Sequence, residues 1–328
     1  MESRTTSSLV GVTMAAFVFI SAVLMLPLET FCFTVSPRLL AVIFLSPFYV
    51  MILGCFVSTF RDRMTVVFSN KRNLIFYFLF LAGWGSLLLL VREQFRFYYL
   101  PYILIVHALP VMLSRNWGKR LSWKDILLAL YLAVIAQSSF LGGDGGLMIS
   151  GQYPFIFSAS FSHLSAFTTT LLIYLVIRKV DLGYTLDLSR KEFLLSIGLI
   201  LVLLVLLVPL GLAWGFLTPG VETLRWQNFW VAAAFFLFNS SLGEELLARG
   251  ILQNYVFSVL PKGSSWTGIL IASLVFGLGH IYNPKFAVLA FLASLAFGWI
   301  YWRTGKLWSA VLVHGGINVI WQLVYLWC

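Results

Sequence analysis

The chain has 328 residues, of which 60% are hydrophobic and only 10% are charged. Soluble globular domains carry about 25% charged residues, so this composition excludes an ordinary soluble protein and predicts a polytopic membrane protein. The net charge of +10 does not indicate nucleic-acid binding, because the Lys and Arg residues cluster in short connections between apolar runs, as they do in membrane proteins.

The apolar runs predict transmembrane helices rather than a membrane β-barrel. Barrel strands alternate apolar and polar residues, whereas residues 194–216 are continuously apolar and long enough for a span of about 20 residues. We therefore predict an all-α polytopic membrane protein with about eleven transmembrane helices, and with nine as the lower bound. In chain order the apolar segments lie near residues 9–28, 39–60, 74–91, 98–114, 126–141, 153–177, 193–217, 229–258, 266–283, 286–302 and 307–327.

The distribution of Lys and Arg predicts the orientation. With the N-terminus inside, sixteen of the 22 basic residues fall in cytoplasmic connections, and five fall on the opposite side: Arg38, Arg92, Arg96, Arg225 and Lys285. This bias predicts a cytoplasmic N-terminus. The short connections favour a bacterial inner (plasma) membrane over an endoplasmic reticulum membrane. A Gly-rich stretch at 141–151 predicts a boundary between accessory N-terminal helices (1–150) and a membrane core (151–328).

Three polar stretches interrupt the C-terminal apolar segments. They are "EELLAR" at Glu244–Arg249, "FGLGH" at Phe276–His280 and "HGGIN" at His314–Asn318. A charge at the centre of a membrane helix costs about 2.5–3.5 kcal/mol even on insertion scales, and ionisable groups there usually mark functional sites. Of the twelve acidic residues, only Glu244 and Glu245 lie within a predicted span. The three stretches therefore predict one functional site, provided that they converge.

The spacing within these stretches separates the roles of the side chains. Glu245 and Arg249 are i,i+4 neighbours, so they share a helix face and are predicted to form a structural ion pair. Glu244 lies about 100° around the helix, with no second basic residue nearby in the sequence, and is predicted to be the reactive group. Phe276 and His280 repeat the i,i+4 spacing, which predicts an aromatic ring beside the imidazole.

These residue types fit hydrolysis of an acyl bond by an activated water. A buried carboxylate can act as general base to water, and one histidine can hold that water. His314 and Asn318, again i,i+4, can present two donors to the oxyanion of a tetrahedral intermediate. Glu and His also bind zinc, which leaves a metal site as the alternative. The sequence has no H-E-x-x-H motif, and we expect no cofactor.

Two histidines and one set of small residues are predicted to be structural. His107 and His163 are expected to make hydrogen bonds between helices. Small residues at Ala290, Ser294 and Gly298 share one helical face and are expected to form a close-packing surface.

The three polar stretches, in this order over residues 244–318, resemble the motifs of the CPBP family, E-E-x-x-x-R, F-x-x-x-H and H-x-x-x-N/D. That family comprises the CAAX-processing type II prenyl proteases, bacteriocin-processing (Abi-like) relatives and similar intramembrane glutamic endopeptidases. Residues 297–318 also resemble the family's G-x-x-x-x-x-T-G-x-L-W…H stretch. The resemblance covers roughly residues 229–328.

The resemblance implies an intramembrane protease with a helical core around a polar cavity, acting without a prosthetic group. Its substrate would be a membrane protein or a lipidated, typically prenylated, C-terminal peptide held at the bilayer. By the resemblance, the catalytic residues are Glu244 and His280, which activate water, and His314 and Asn318, which stabilise the oxyanion. The supporting residues are Glu245, Arg249 and Phe276. About three spans precede the usual eight-helix family core, so the resemblance says nothing about residues 1–150.

Two hypotheses from other functional classes also fit the sequence. A non-proteolytic membrane scaffold or partner-binding protein could keep the same residues as a buried polar network. A proton-coupled transporter could use the carboxylate as its proton site, although the sequence lacks the paired discontinuous helices in two related halves that many transporters have.

Overall fold

A computed structural model describes residues 37–91, 99–137, 161–219, 229–230, 233–234, 236–261 and 263–327. The predicted segment near 9–28 and the predicted boundary at residue 150 lie outside these residues. The chain divides into two compact units, which we call the N-terminal unit (Met1–Arg120 with Leu127–Asp181) and the C-terminal unit (Leu121–Ile126 with Leu182–Cys328).

The described residues are mainly helical, as predicted. The first helices are α1 (Pro37–Gly54), α2 (Ser58–Ser69), α3 (Lys71–Val91), α4 (Tyr99–Ser114), α5 (Trp123–Gln137) and α6 (Phe161–Leu171), which continues as a π-helix, π1 (Leu172–Ile177). The next elements are α7 (Arg190–Ala213), β1 (Leu217–Pro219), π2 (Phe236–Ser240), α8 (Ser241–Glu245), π3 (Leu246–Gln253) and α9 (Asn254–Val259). The last are α10 (Ser265–Leu278), α11 (Pro284–Thr304), α12 (Leu307–Val324) and β2 (Tyr325–Trp327).

In the N-terminal unit the predicted segment 39–60 is wrong at its C-terminal end. Helix α1 stops at Gly54, where an added Cβ would lie 2.7 Å from the ring of Phe60, and the polar helix α2 follows. His107 is fully buried, and its Nδ1 lies 3.0 Å from Thr169 Oγ1, which joins α4 to α6. The helix–helix hydrogen bond predicted for His107 is therefore confirmed.

Two helices in the described part of the chain are candidate membrane spans, and both lie in the C-terminal unit. Helices α7 and α11 are long and apolar enough to cross a membrane, and the shorter apolar helices are Leu104–Ser114, His163–Ile177, Ser265–Leu278 and Leu307–Trp321. The predicted number of eleven spans is not confirmed and stays a prediction.

A short β-ladder was not predicted. The apolar segment at 307–327 is wrong as a single helix, because α12 ends at Val324 and the next three residues pair antiparallel with Leu217–Pro219, with Thr218 opposite Leu326. Their backbone groups are satisfied by the partner strand rather than by a further helical turn.

Two glycines in α12 allow this helix to approach its neighbours in the C-terminal unit closely. A Cβ at Gly315 would lie 2.7 Å from the side chain of Leu237 in π2, and one at Gly316 would lie 2.6 Å from Ile200 in α7. The two glycines after His314 therefore allow α12 to pack closely against both π2 and α7. This contact places His314 beside the acidic stretch.

Candidate functional site

The segment that carries the acidic pair is broken by π-helices. Glu244 and Glu245 lie in the five-residue helix α8, with π2 before it and π3 after it. π-Helical turns are rare and are frequently found at functional sites. The predicted segment 229–258 is therefore not one straight α-helix in its described residues.

Glu245 forms the buried centre of the site. Its side chain is fully buried, and Arg249 Nε donates to its Oε2 at 2.9 Å. Its other oxygen, Oε1, lies 2.9 Å from His314 Nδ1. The ion pair predicted from the i,i+4 spacing is therefore present, and the same carboxylate also has a histidine partner that the sequence did not indicate.

Arg249 is fully buried and distributes its other donors over two neighbours. Nη1 donates to Gln253 Oε1 at 3.3 Å, and Nη2 donates to Ser294 Oγ in α11. The Gln253 amide continues the chain by donating to the carbonyl of Gly298 at 3.0 Å. Sequence reasoning missed Gln253, although its i+4 spacing from Arg249 was a usable signal. It read Ser294 and Gly298 as packing residues, whereas their oxygens also accept these hydrogen bonds.

Glu244 has a different environment from its neighbour. Its side chain is 30% exposed, and Ser240 Oγ donates to its Oε1 at 2.9 Å. Its Oε2 lies 3.9 Å from His314 Nε2. The two nitrogens of one imidazole thus face two carboxylates, one buried and one accessible. Sequence reasoning also missed Ser240, which lies one helical turn before Glu244.

Two phenylalanines hold the ring of His314. Phe297 in α11 stacks on it with a centroid distance of 4.6 Å, and Phe276 in α10 meets it edge-on at 5.5 Å. Phe276 also lies 5.0 Å from the ring of His280, which confirms the predicted aromatic neighbour of that imidazole. Phe276 therefore separates the two histidines, and the sequence did not single out Phe297.

The predicted placement of His280 within a helix is wrong. Helix α10 ends at Leu278, and His280 lies in the turn before α11, which begins at Pro284 with Asn283 as its cap. Its Nδ1 donates to the carbonyl oxygen of Phe276 at 2.9 Å, so Nε2 carries the free lone pair. Gly279 and the Asn-Pro start of α11 favour this turn, because glycine and Asn-Pro pairs disfavour a continuous helix.

The turn that carries His280 also lies within electrostatic range of Glu244. Partial desolvation, and after it the charge of Glu244, raise the pKa of the Tyr282 phenol above its usual value. Glu244 is thus close to His314, and its charge also acts on Tyr282 in the turn that carries His280.

Asn318 lies one turn beyond His314 in α12 and is partly exposed. Within the described residues no hydrogen bond engages its amide. In the same part of the chain, no group of three or more His, Cys, Asp or Glu side chains is arranged to hold a metal ion.

The comparisons agree with the motifs. Residues 225–320, which contain all three polar stretches, match the family model described as type II CAAX prenyl endopeptidase Rce1-like. No curated protein and no solved structure matches the chain. Residues 225–320 are therefore similar to the Rce1-like type II CAAX prenyl endopeptidase family, a family of integral membrane proteases, as the three motifs indicated.

Proposed function

We propose that this protein is an intramembrane endopeptidase that hydrolyses a peptide bond in a membrane-associated protein or a prenylated C-terminal peptide, with water activated by Glu244. The observation that carries the proposal is the contrast between the glutamates. Glu245 is fully buried and paired, whereas Glu244 is accessible and lies 3.9 Å from His314 Nε2.

In the proposed reaction, Glu244 takes a proton from water as general base. His280 Nε2, left with a lone pair because Nδ1 donates to a carbonyl, accepts a hydrogen bond from the same water and orients it. The water oxygen forms a bond to the carbonyl carbon, and His314 and Asn318 donate to the resulting oxyanion. Glu244 then transfers its proton to the amine as the C–N bond breaks.

This role for His314 requires a protonated imidazole. Its Nδ1–H is directed at Glu245, so Nε2 can donate to an oxyanion only when it also carries a proton. Glu244 and Glu245 together with Arg249 leave one excess negative charge, which an imidazolium at His314 would balance. A neutral cluster costs less than a charged one in a membrane, which supports this protonation state.

We further propose the membrane arrangement that the basic residues indicate. The chain would cross the membrane about eleven times, with its N-terminus in the cytoplasm, and its short connections favour a bacterial inner membrane. Residues 1–150 would form accessory helices beside the protease core. The substrate, the bilayer and water would be the only partners that the reaction needs.

The test is cleavage of a fluorogenic lipidated peptide by the protein reconstituted in vesicles. We expect Glu244→Gln to abolish cleavage and to leave thermal unfolding unchanged, because its partly exposed carboxylate contributes little to packing. Asp187→Asn, a carboxylate change elsewhere in the same unit, is the matched control and should cleave normally. Full activity of Glu244→Gln would refute the assignment.

Two further arms separate the alternatives. A strong chelator should leave the rate unchanged, whereas loss of activity that added zinc restores would support a metal enzyme. The fully buried network around Arg249 would also suit a scaffold that binds a partner without cleaving it. A wild-type protein that releases no peptide from any lipidated substrate would support the scaffold.

A further inference from the structure

Helix α2 in the N-terminal unit has the character of an interfacial helix. Its 12 residues have no buried side chain, although it connects two apolar helices, α1 and α3. Val66 is 73% exposed, and Asp62 and Arg63, one turn earlier on the same face, are exposed as well. A helix whose exposed surface combines apolar side chains with neighbouring charges suits the membrane interface, where the apolar groups reach the acyl region and the charges stay among the headgroups.

Two hydrogen bonds join other chain segments to α2. Arg115 Nη2, just after α4, donates to the carbonyl of Ser69 at 3.1 Å. Thr65 Oγ1 donates to the carbonyl of Val176 in π1 at 3.0 Å. The end of α2, the start of α3, the end of α4 and the end of π1 therefore lie together at one end of the N-terminal unit.

Arg178 fixes the connection that follows α4 at the same place. It is almost fully buried, and its guanidinium donates to the carbonyls of Gly118 at 2.7 Å and Arg120 at 3.0 Å. Its Cζ also lies 5.1 Å from the ring centroid of Tyr174. Arg178 therefore holds the loop in place, whereas the basic residues of the loop itself lie at the surface.

The result is a surface with a strong excess of positive charge. Within residues 58–73, 115–120 and 176–179 the only acidic residue is Asp62. Six exposed basic side chains make no ion pair with any described residue, and we call them the basic face: Arg63, Lys71, Arg72, Lys119, Arg120 and Lys179.

The start of α3 adds a second reason to expect an external anion. Its first turn contains Lys71 and Arg72 and no acidic residue. Cations at a helix N-terminus oppose the helix dipole, which favours anions there. This arrangement is unfavourable in isolation and becomes favourable when an anion from outside the chain lies against the face.

We propose that the basic face binds the headgroups of anionic phospholipids. Exposed apolar side chains border it directly: Val66, 73% exposed, lies one turn after Arg63 in α2, and Met112, also 73% exposed, lies in the last turn of α4, before the loop with Lys119 and Arg120. Apolar side chains that reach the acyl region place the neighbouring basic residues at headgroup depth. A soluble acidic protein would leave the apolar border uncovered, so a lipid fits the surface better.

The test measures lipid retention by native mass spectrometry of the full-length protein from micelles that contain equal amounts of phosphatidylglycerol and phosphatidylcholine. The wild type should retain phosphatidylglycerol preferentially. Each basic residue near an anionic surface contributes about fivefold to partitioning, so we expect Lys71→Gln with Arg72→Gln to reduce the retained phosphatidylglycerol by roughly thirtyfold. The matched control is Lys285→Gln with Arg303→Gln, which removes the same charge from exposed positions of the C-terminal unit.

Equal retention of the two lipids by the wild type would overturn the proposal, as would an equal loss in the control variant. A salt titration of the wild type needs no variant: retention of phosphatidylglycerol should fall with ionic strength, and a salt-independent preference would contradict the proposal. Soluble glycerol phosphate or polyglutamate should not displace the lipid at the same concentration. Displacement by the phosphate would indicate a free-anion site, and displacement by the peptide would indicate an acidic protein partner.

Discussion

Replacement of Arg249 by methionine should destabilise the protein strongly. The guanidinium is fully buried, holds Glu245 at 2.9 Å, and donates to Gln253 and Ser294. Removing one partner of a buried ion pair costs about 3–5 kcal/mol, and Glu245 would keep only His314 as its partner. Each buried acceptor left unsatisfied adds about 1–3 kcal/mol. We therefore expect a loss of at least about 4 kcal/mol, a large part of the roughly 5–15 kcal/mol that stabilises a typical protein.

The assay is equilibrium unfolding in mixed micelles, with the helical signal followed as the fraction of denaturing detergent increases. Arg303→Met is the matched control, because Arg303 is an exposed arginine of the same unit, and it should change stability by less than about 0.5 kcal/mol. The double variant Glu245→Leu with Arg249→Met should be more stable than Arg249→Met alone, since it removes the stranded charge. A single variant within about 1 kcal/mol of the wild type would refute the view that this ion pair makes burial of Glu245 tolerable.

Three further variants test other parts of the site. Ser240→Ala should lower the cleavage rate by roughly fivefold, because the hydroxyl donates to Glu244 Oε1 at 2.9 Å and such a hydrogen bond is worth about 1 kcal/mol; Ser240→Thr should restore the rate, and an unchanged rate in the alanine variant would contradict this. Gly183→Ala should lower the unfolding midpoint markedly, because Gly183 has φ of 64° and an added Cβ would collide with the backbone oxygen of Gly305; Gly198→Ala, in open space, is the control and should be neutral. Gly298→Ala should destabilise by about 1–3 kcal/mol, since its Cβ would lie 2.8 Å from Gln253 Oε1; a thermal unfolding midpoint equal to that of the wild type would show that Gln253 moves aside freely.

The sequence alone determined the class of protein and the local pairings. Composition and the length of the apolar runs predicted a helical membrane protein, since the free energy of side-chain transfer into lipid depends on residue content and an unbroken apolar run can satisfy its backbone there as a helix. The Glu245–Arg249 pair and the contact between Phe276 and His280 followed from i,i+4 spacing, which local helical geometry fixes. The order of three polar stretches predicted the family. The catalytic roles of Glu244, His280, His314 and Asn318 stay predictions.

Only the tertiary structure decided which helix faces meet. Nothing in the spacing indicated that His314 would bond Glu245, 69 residues away, because periodicity shows which residues share a face but not which face lies opposite. The π-turns on both sides of α8 depend on packing against neighbouring helices, which overrides local helix propensity. The stretch at Glu244 was therefore recognisable from its residues, while the division between a buried, paired Glu245 and an accessible Glu244 required α12 to be placed beside it.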